Sequence, residues 1–306
     1  MHWEQYWDVT PTLSSFGDSS DALGYPEKLL NFWENAVKSY GSDTHYLDLG
    51  TGKGALAVWI QVLLVRSMLG GSVKACDLAN IDETKISSGV DELDEAIKHV
   101  EFKFNTPLER LPYPNNQFDV LASQFGFEYS DWDKSLPEAL RVLKDNGELI
   151  LMLHHPDSAI TKDCIGGIRV LNWFFNENIL NDVTTLIDLK LRNENIPFAR
   201  LNKEIIHKLQ TFKVLDSAEQ VWFLDVMTKL SKLIININHE STKALKNLEE
   251  FIGKQITRLE DQVSVAFSKE EVTNRIKKSQ VTIKSVKIED FFVDGELFCW
   301  KVLLKK

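Results

Sequence analysis

The sequence predicts an α/β fold: a seven-stranded, mostly parallel sheet with a C-terminal antiparallel hairpin, and a large helical insertion ahead of that hairpin. Three observations carry the prediction. Between residues 43 and 157, short apolar runs alternate with helical stretches, the rhythm of a parallel sheet covered on both faces. A strand, a turn with alternating glycines and a long helix follow one another in HYLDLGTGKGALAVWIQVLLVRSML, starting at His45. Near the end, Asp294-Gly295 separates two β-like runs, the dipeptide of a two-residue hairpin turn.

Taken in order, residues 1–42 read as an aromatic N-terminal cap carrying Trp3, Tyr6, Trp7, Phe16, Tyr25, Phe32 and Trp33, with Asp8, Asp18 and Asp21 between them. Pro26 opens a helix in which Leu29, Phe32, Trp33, Val37 and Tyr40 keep helical spacing. Strands are expected at 45–49, 72–77, 100–104, 117–123 and 147–154, and helices at 54–69, about 84–98 and 132–143. Beyond Pro156 the β-like alternation almost vanishes. Leu245, Leu248, Ile252, Ile256, Leu259 and Val263 recur at spacings of three and four, and Val221, Trp222, Val226, Leu230, Leu233 and Ile237 offer a matching face. A helical hairpin is expected there, its stripes read first as core packing. Ser268, with Glu270 and Glu271 behind it and lysines at 277 and 278, has the signals of one more helix. The division expected is a cap at 1–42, an α/β domain from 43–157 and 267–306, and a helical insertion at 158–266.

A chain of 306 residues with 43% hydrophobic and 26% charged residues can bury a substantial core. Its net charge of −10 argues against duplex DNA or bulk RNA as substrate, which would call for a basic face. Cys76, Cys164 and Cys299 are scattered and lack metal-ligand spacing, so no metal is expected and a reduced, cytoplasmic setting is. The start MHWEQYWDVT does not run from basic to apolar as a signal peptide does. The longest apolar run, 55–69, is broken by Gln61 and Arg66 and is too short for a bilayer, so no membrane association is expected.

The chemistry concentrates at the C-terminal ends of the expected strands. Asp48, Gly50, Gly52 and Gly54 make a D-x-G-x-G-x-G turn, unlike the G-x-G-x-x-G and G-x-x-x-x-G-K-[ST] loops that hold pyrophosphates and phosphates. A tight turn with an acid before it suits a cationic ligand, and S-adenosylmethionine, with an ammonium and a sulfonium, is the first candidate. Asp77 ends the second strand, where a carboxylate can accept both hydroxyls of a ribose. Thr106, Pro107 and Leu108 follow the third strand, and Ser123, Gln124 and Phe125 end the fourth. His154 and His155 follow the fifth, where imidazole is poised for proton transfer near neutral pH. Strand alternation sends neighbours to opposite faces, so one of the pair is expected in the cleft, and a structural histidine bonded to backbone is the competing reading. Glu128 and Tyr129 can polarise or orient an acceptor, or simply cap and meet solvent.

Through LDLGTGKG, Asp77, LPYPNNQFDVLASQFGFEY, EALRVLKDNGELIL and the closing hairpin, the chain resembles the class I S-adenosylmethionine-dependent methyltransferases, a Rossmann-like family, and within it the ubiquinone and menaquinone biosynthesis branch. The resemblance covers 43–157 and about 267–306. It implies methyl transfer to a small-molecule acceptor, with Asp48, Gly50, Gly52 and Gly54 at the methionine end of the cofactor. Asp77 would hold the ribose, Thr106 to Leu108 the adenine, and Ser123 to Phe125 would flank the reacting methyl. One departure stands out: where relatives show G-D-x-x-x-L-P, Pro107 takes the place of the acid. The glycine spacing and the hairpin weigh against the other nucleotide-fold reading, a nicotinamide dehydrogenase. The insertion is expected to serve as a lid or acceptor pocket with Trp173, Phe174, Phe175 and Trp222 as walls, or to pair with a second copy through the 245–263 stripe. A cofactor-binding assembly module without catalysis and a methyltransferase of proteins are the alternatives.

Overall fold

A computed structural model describes residues 2–16, 22–279 and 282–306; Asp18 and Asp21 lie outside the described residues. The chain divides into two compact units, Met1–Ala159 with Val265–Lys306, and Ile160–Ser264.

The first unit holds seven strands: β1 (Thr44–Leu49), β2 (Gly71–Cys76), β3 (Val100–Lys103), β4 (Phe118–Gln124), β5 (Leu143–Leu153), β6 (Ser285–Val293) and β7 (Glu296–Lys305). They lie in the order β3-β2-β1-β4-β5-β7-β6. β1 to β5 are parallel, and β7 runs antiparallel between β5 and β6. Because the chain moves outward from β1 to β3 and then returns to β4, the connections from β1 and β4 lead to opposite halves of the sheet, with a crevice at the point where the order reverses. That crevice is where an open parallel sheet accepts a ligand.

Alternation along β1 explains the two cores. Leu47 and Leu49 join Phe118, Leu121, Leu149 and Leu151 beneath α5 (Trp132–Val142) and α11 (Lys269–Lys278). Tyr46 faces the other side with Val73, Ala75 and Val120, under α2 (Glu27–Tyr40) and α3 (Ala55–Arg66). α3 is buried almost all round, which is why its sequence shows no polar face. The hairpin turns through Asp294 (φ 50°) and Gly295 (φ 85°), both left-handed as a two-residue turn requires. Ser268 and Glu271 form a reciprocal capping box at the start of α11.

Three boundaries differ from expectation: β5 begins at Leu143 rather than 147, α3 ends at Arg66 rather than 69, and the helix after β2 starts late. The helix expected from about residue 84 begins only at Asp91, as α4 (Asp91–Ile97). The Asp94 carboxylate accepts from the Ser88 amide and hydroxyl, and Gly89 takes φ 71°, so the preceding residues are held as a loop.

The second unit is helical: most of α6 (Ala159–Asn176), then α7 (Ile179–Leu191), α8 (Asn195–Thr211), α9 (Ser217–Ile235) and α10 (Ser241–Ser264). Leu245, Leu248, Ile252 and Leu259 of α10 and Val226 and Leu230 of α9 are buried with Val170, Phe174 and Val183. The coiled-coil-like stripe is therefore spent inside the unit, and those side chains are not on offer to a second copy. Gly167 leaves room for Leu259 and the Trp222 indole, whose Nε1 donates to Asp163.

Candidate functional site

The glycine turn is shaped by left-handed backbone and close neighbours. Gly50, Gly52 and Gly54 have φ of 69°, 54° and 93°, a region costly for any other residue. A Cβ on Gly50 would stand 2.9 Å from the Gly126 Cα, so the loops leaving β1 and β4 touch backbone to backbone. A Cβ on Gly54 would meet the Phe102 ring at 2.6 Å, and one on Gly52 the Trp7 indole at 2.4 Å. Trp7 belongs to α1 (His2–Val9), and Lys53 of the glycine turn donates to the Thr10 carbonyl just beyond that helix. The N-terminal segment thus lies against the turn.

Two carboxylates stand beneath the loop. Asp77 accepts from the Gly52 and Ala79 amides, both at 2.7 Å, which fixes the carboxylate at the end of β2. Burial raises its pKa against the pull of those amides. Asp48 is almost wholly buried on β1 and accepts from the Thr51 hydroxyl at 2.5 Å. Burial pushes its pKa up to about 7, with the neighbouring Asp77 charge adding to the rise. A site that raises two adjacent carboxyls is one that a cation would relieve.

On the far side of Asp77, Thr106 is buried, its amide donating to the Asp77 carbonyl and its hydroxyl to Phe104. Pro107 is half-buried and Leu108 belongs to the lower core. Glu109 accepts from the Asp131 amide, and the Asn105 side chain donates to Asn80. Leu78, beside Asp77, is 47% exposed, an apolar platform that the sequence alone does not single out.

At the end of β4 the polar groups are largely spent on architecture. The Ser123 hydroxyl donates to the Leu49 carbonyl and accepts from the Phe127 amide, tying the loop to β1. The Gln124 oxygen accepts from the Trp33 indole at 2.9 Å. Phe125 takes φ 56°, which turns its ring into an arc of half-buried aromatics. The arc runs from Phe298 through Phe16 (6.0 Å) and Phe125 (5.3 Å) to His154 (4.7 Å), then Tyr129 (6.1 Å) and Trp3 (5.4 Å). Tyr6 and Trp7 continue it back to the glycine turn.

The two histidines part company. His154 is buried and its backbone amide and Nδ1 both meet Glu128 Oε1, at 3.0 and 2.8 Å. His155 faces the other way: its Nδ1 accepts from the Asp157 amide, Nε2 lies 3.6 Å from Asp290, and the ring rests on Trp300. That turn occupies His155, which places it outside the arc. Glu128, buried against His154, is the partner that sequence spacing leaves unpaired, since the two residues meet only because β4 and β5 are neighbours. Among the described residues no cluster of His, Cys, Asp and Glu could hold a metal ion, and no helix is long and apolar enough to cross a membrane.

Residues 47–151 match the family model described as a methyltransferase domain. The chain is 31% identical over 112 residues to the ubiquinone/menaquinone biosynthesis C-methyltransferase UbiE of Rickettsia akari, covering 36% of this chain and 44% of that protein. It is 34% identical over 109 residues to UbiE of Escherichia coli (strain K12 / DH10B), covering 35% and 41%. The chain thus spans less than half the length of these curated relatives. Similar solved structures include a SAM-dependent methyltransferase from Aquifex aeolicus, with 14% identity, TM-score 0.42 and coverage of 89% of this chain and 88% of that one. Another is a putative S-adenosyl-L-methionine-dependent methyltransferase from Methanococcus maripaludis, with 12% identity, TM-score 0.42 and coverage of 99% and 91%.

Proposed function

We propose that this chain, whose residues 47–151 match a methyltransferase domain, is a class I enzyme that transfers a methyl group from S-adenosylmethionine to a small-molecule acceptor. The observation that carries the reading is the pair Asp48 and Asp77 beneath a left-handed glycine turn: two carboxyls raised by burial, one of them accepting from the Gly52 amide of that turn. These residues fit the cofactor. Asp77 would take the ribose, Leu78 would offer its exposed side chain to the flat base, and the 50–54 turn with Asp48 would meet the methionine end and its ammonium. Thr106 and Pro107 would border the base, while Leu108, being core, would shape the wall behind it.

When bound, S-adenosylmethionine supplies an electrophilic methyl on a sulfonium. The protein's part is to hold an acceptor in line with that methyl and to keep water away. The aromatic arc supports this role, because half-buried rings from the N-terminal segment, the loop after β4 and strand β7 make an apolar, flat-walled bed around the buried His154. Phe125, just beyond β4, and Tyr129 would border the acceptor. The relatives are named as C-methyltransferases of quinone biosynthesis, so carbon on a small molecule is the acceptor atom we favour. Ser123 and Gln124 would support the site through the bonds they already make. A cytoplasmic setting is proposed on the three buried, free cysteines. For the helical unit we propose acceptor recognition, since its apolar stripe is spent within the chain.

Calorimetry with S-adenosylmethionine and S-adenosylhomocysteine tests the reading. Micromolar binding is expected in the wild type, weakened tenfold or more (about 1.4 kcal/mol) by Asp77→Ala. No binding by a folded wild-type protein would end it.

A further inference from the structure

Glu128 and His154 form a buried pair with unfinished hydrogen bonding. Their side chains are 0% and 1% exposed, and Glu128 Oε1 receives both the His154 amide and Nδ1. Two atoms of the pair, His154 Nε2 and Glu128 Oε2, are buried without a hydrogen-bond partner. A buried polar atom left unpaired is costly, so two on one pair of touching side chains mark a place where a ligand's polar group would be favoured. The surroundings are apolar: the Phe125 ring at 4.7 Å, the Tyr129 ring at 6.1 Å, and Cys299, whose thiol is pushed well up by burial and by the Glu128 charge. Among the described residues the ion-pair partner found for Glu128 is His154.

An ionised carboxylate only accepts hydrogen bonds, so the 2.8 Å contact requires the imidazole proton on Nδ1 and leaves a lone pair on Nε2. We infer that Glu128 is a positioning residue that fixes His154 in this tautomer, so that Nε2 takes up the proton an acceptor loses when it is methylated. The inference rests on the methyl transfer proposed above and narrows its acceptor to one with a dissociable proton on, or conjugated with, the methylated atom. In the step, a bond forms from the acceptor atom to the methyl carbon as the carbon–sulfur bond breaks and its electron pair returns to sulfur. The acceptor's proton passes to Nε2, and the resulting imidazolium lies against the Glu128 carboxylate, which stabilises the charge as it appears.

The test is long-range 15N–1H spectroscopy of the protein saturated with S-adenosylhomocysteine, with His154 assigned through His154→Asn. The wild type is expected to show Nδ1 protonated and Nε2 bare, and Glu128→Gln a mixture of tautomers with S-adenosylhomocysteine affinity within twofold of wild type. Glu128→Asp, which keeps the charge but draws it back, serves as the second variant and is expected to fall between the two. With 4-nitrophenol as an acceptor probe, absorbance should report a bound phenolate in the wild type and a bound phenol in Glu128→Gln. A wild-type His154 protonated on Nε2, or the same tautomer and the same probe spectrum in Glu128→Gln, overturns the inference. Loss of S-adenosylhomocysteine binding by the wild type would instead remove the proposed function beneath it.

Discussion

Asp48 should make cofactor affinity rise with pH in a range where an exposed carboxylate is already fully ionised and gives no pH dependence. Burial lifts its pKa to about 7, against the pull of the Thr51 hydroxyl and the Ala57 amide. Below that value the ligand-free site holds a neutral carboxyl, while a bound ammonium favours the carboxylate, so binding expels a proton. If the bound site is fully ionised, affinity rises about fivefold from pH 6 to pH 7 and levels off above, with about half a proton released at pH 7. The window lies below the titration of a free α-amine at about 8, so the ligand's own charge stays nearly constant. Calorimetry with S-adenosylhomocysteine in two buffers of different ionisation heat measures both quantities. Asp48→Asn should flatten the profile. An unchanged slope in that variant would move the proton to Asp77, whose pKa is also raised, and refute the assignment. The same burial has a cost in the ligand-free protein. Between pH ~4 and ~7 the folded chain keeps a proton that the unfolded chain has released, so stability falls as pH rises through that range and is level beyond it. Asp48→Asn should therefore melt higher than wild type at pH 8, by at most on the order of 4 kcal/mol in stability, while binding the cofactor less well.

Two further outcomes follow from close approaches in the glycine turn. Gly126 has an unstrained φ of −129°, yet a Cβ there would stand 2.6 Å from the Gly50 carbonyl oxygen. Gly126→Ala should part the two loops, weakening S-adenosylhomocysteine more than tenfold in calorimetry for a stability loss of about 1–3 kcal/mol by thermal melting. Trp7→Ala removes the ring that rests on Gly52, and stopped-flow fluorescence should then show S-adenosylhomocysteine arriving and leaving several times faster. Equal rates in variant and wild type would mean that the N-terminal helix does not stand in the ligand's path.

The sheet was legible because its signals are local. Leu47 and Leu49 alternate with Asp48 in one short run, three glycines mark one turn, and Asp294-Gly295 can hardly be anything but a hairpin tip. What escaped the sequence depends on atoms brought together from a distance. The late start of α4 is decided by an Asp94 carboxylate reaching back to Ser88, a bond no periodicity displays. Ser123 sits at a strand end as its spacing suggests, but spacing does not say that its hydroxyl is already committed to Leu49 and Phe127. Nor does it say which histidine meets Glu128. That is settled by the pairing of β4 with β5 and by the turn after Leu153, where Asp157 claims His155.

The order of strands also carries a consequence for the chain as it emerges from the ribosome. β5 lies inside the sheet with β7 as its outer neighbour, yet the whole helical unit is written between them, so Leu153 is made long before Glu296. At ~5–20 residues per second the free edge of β5 waits on the order of ten seconds for its partner. Over that interval the helical unit, in which Leu245, Leu248, Ile252 and Leu259 pack with Val226 and Leu230, has the contacts to fold first, and the sheet is completed last, by the final hairpin. A nascent chain stalled before Ser285 would therefore present the apolar edge of an unfinished sheet, the kind of surface that chaperones hold and that aggregates recruit.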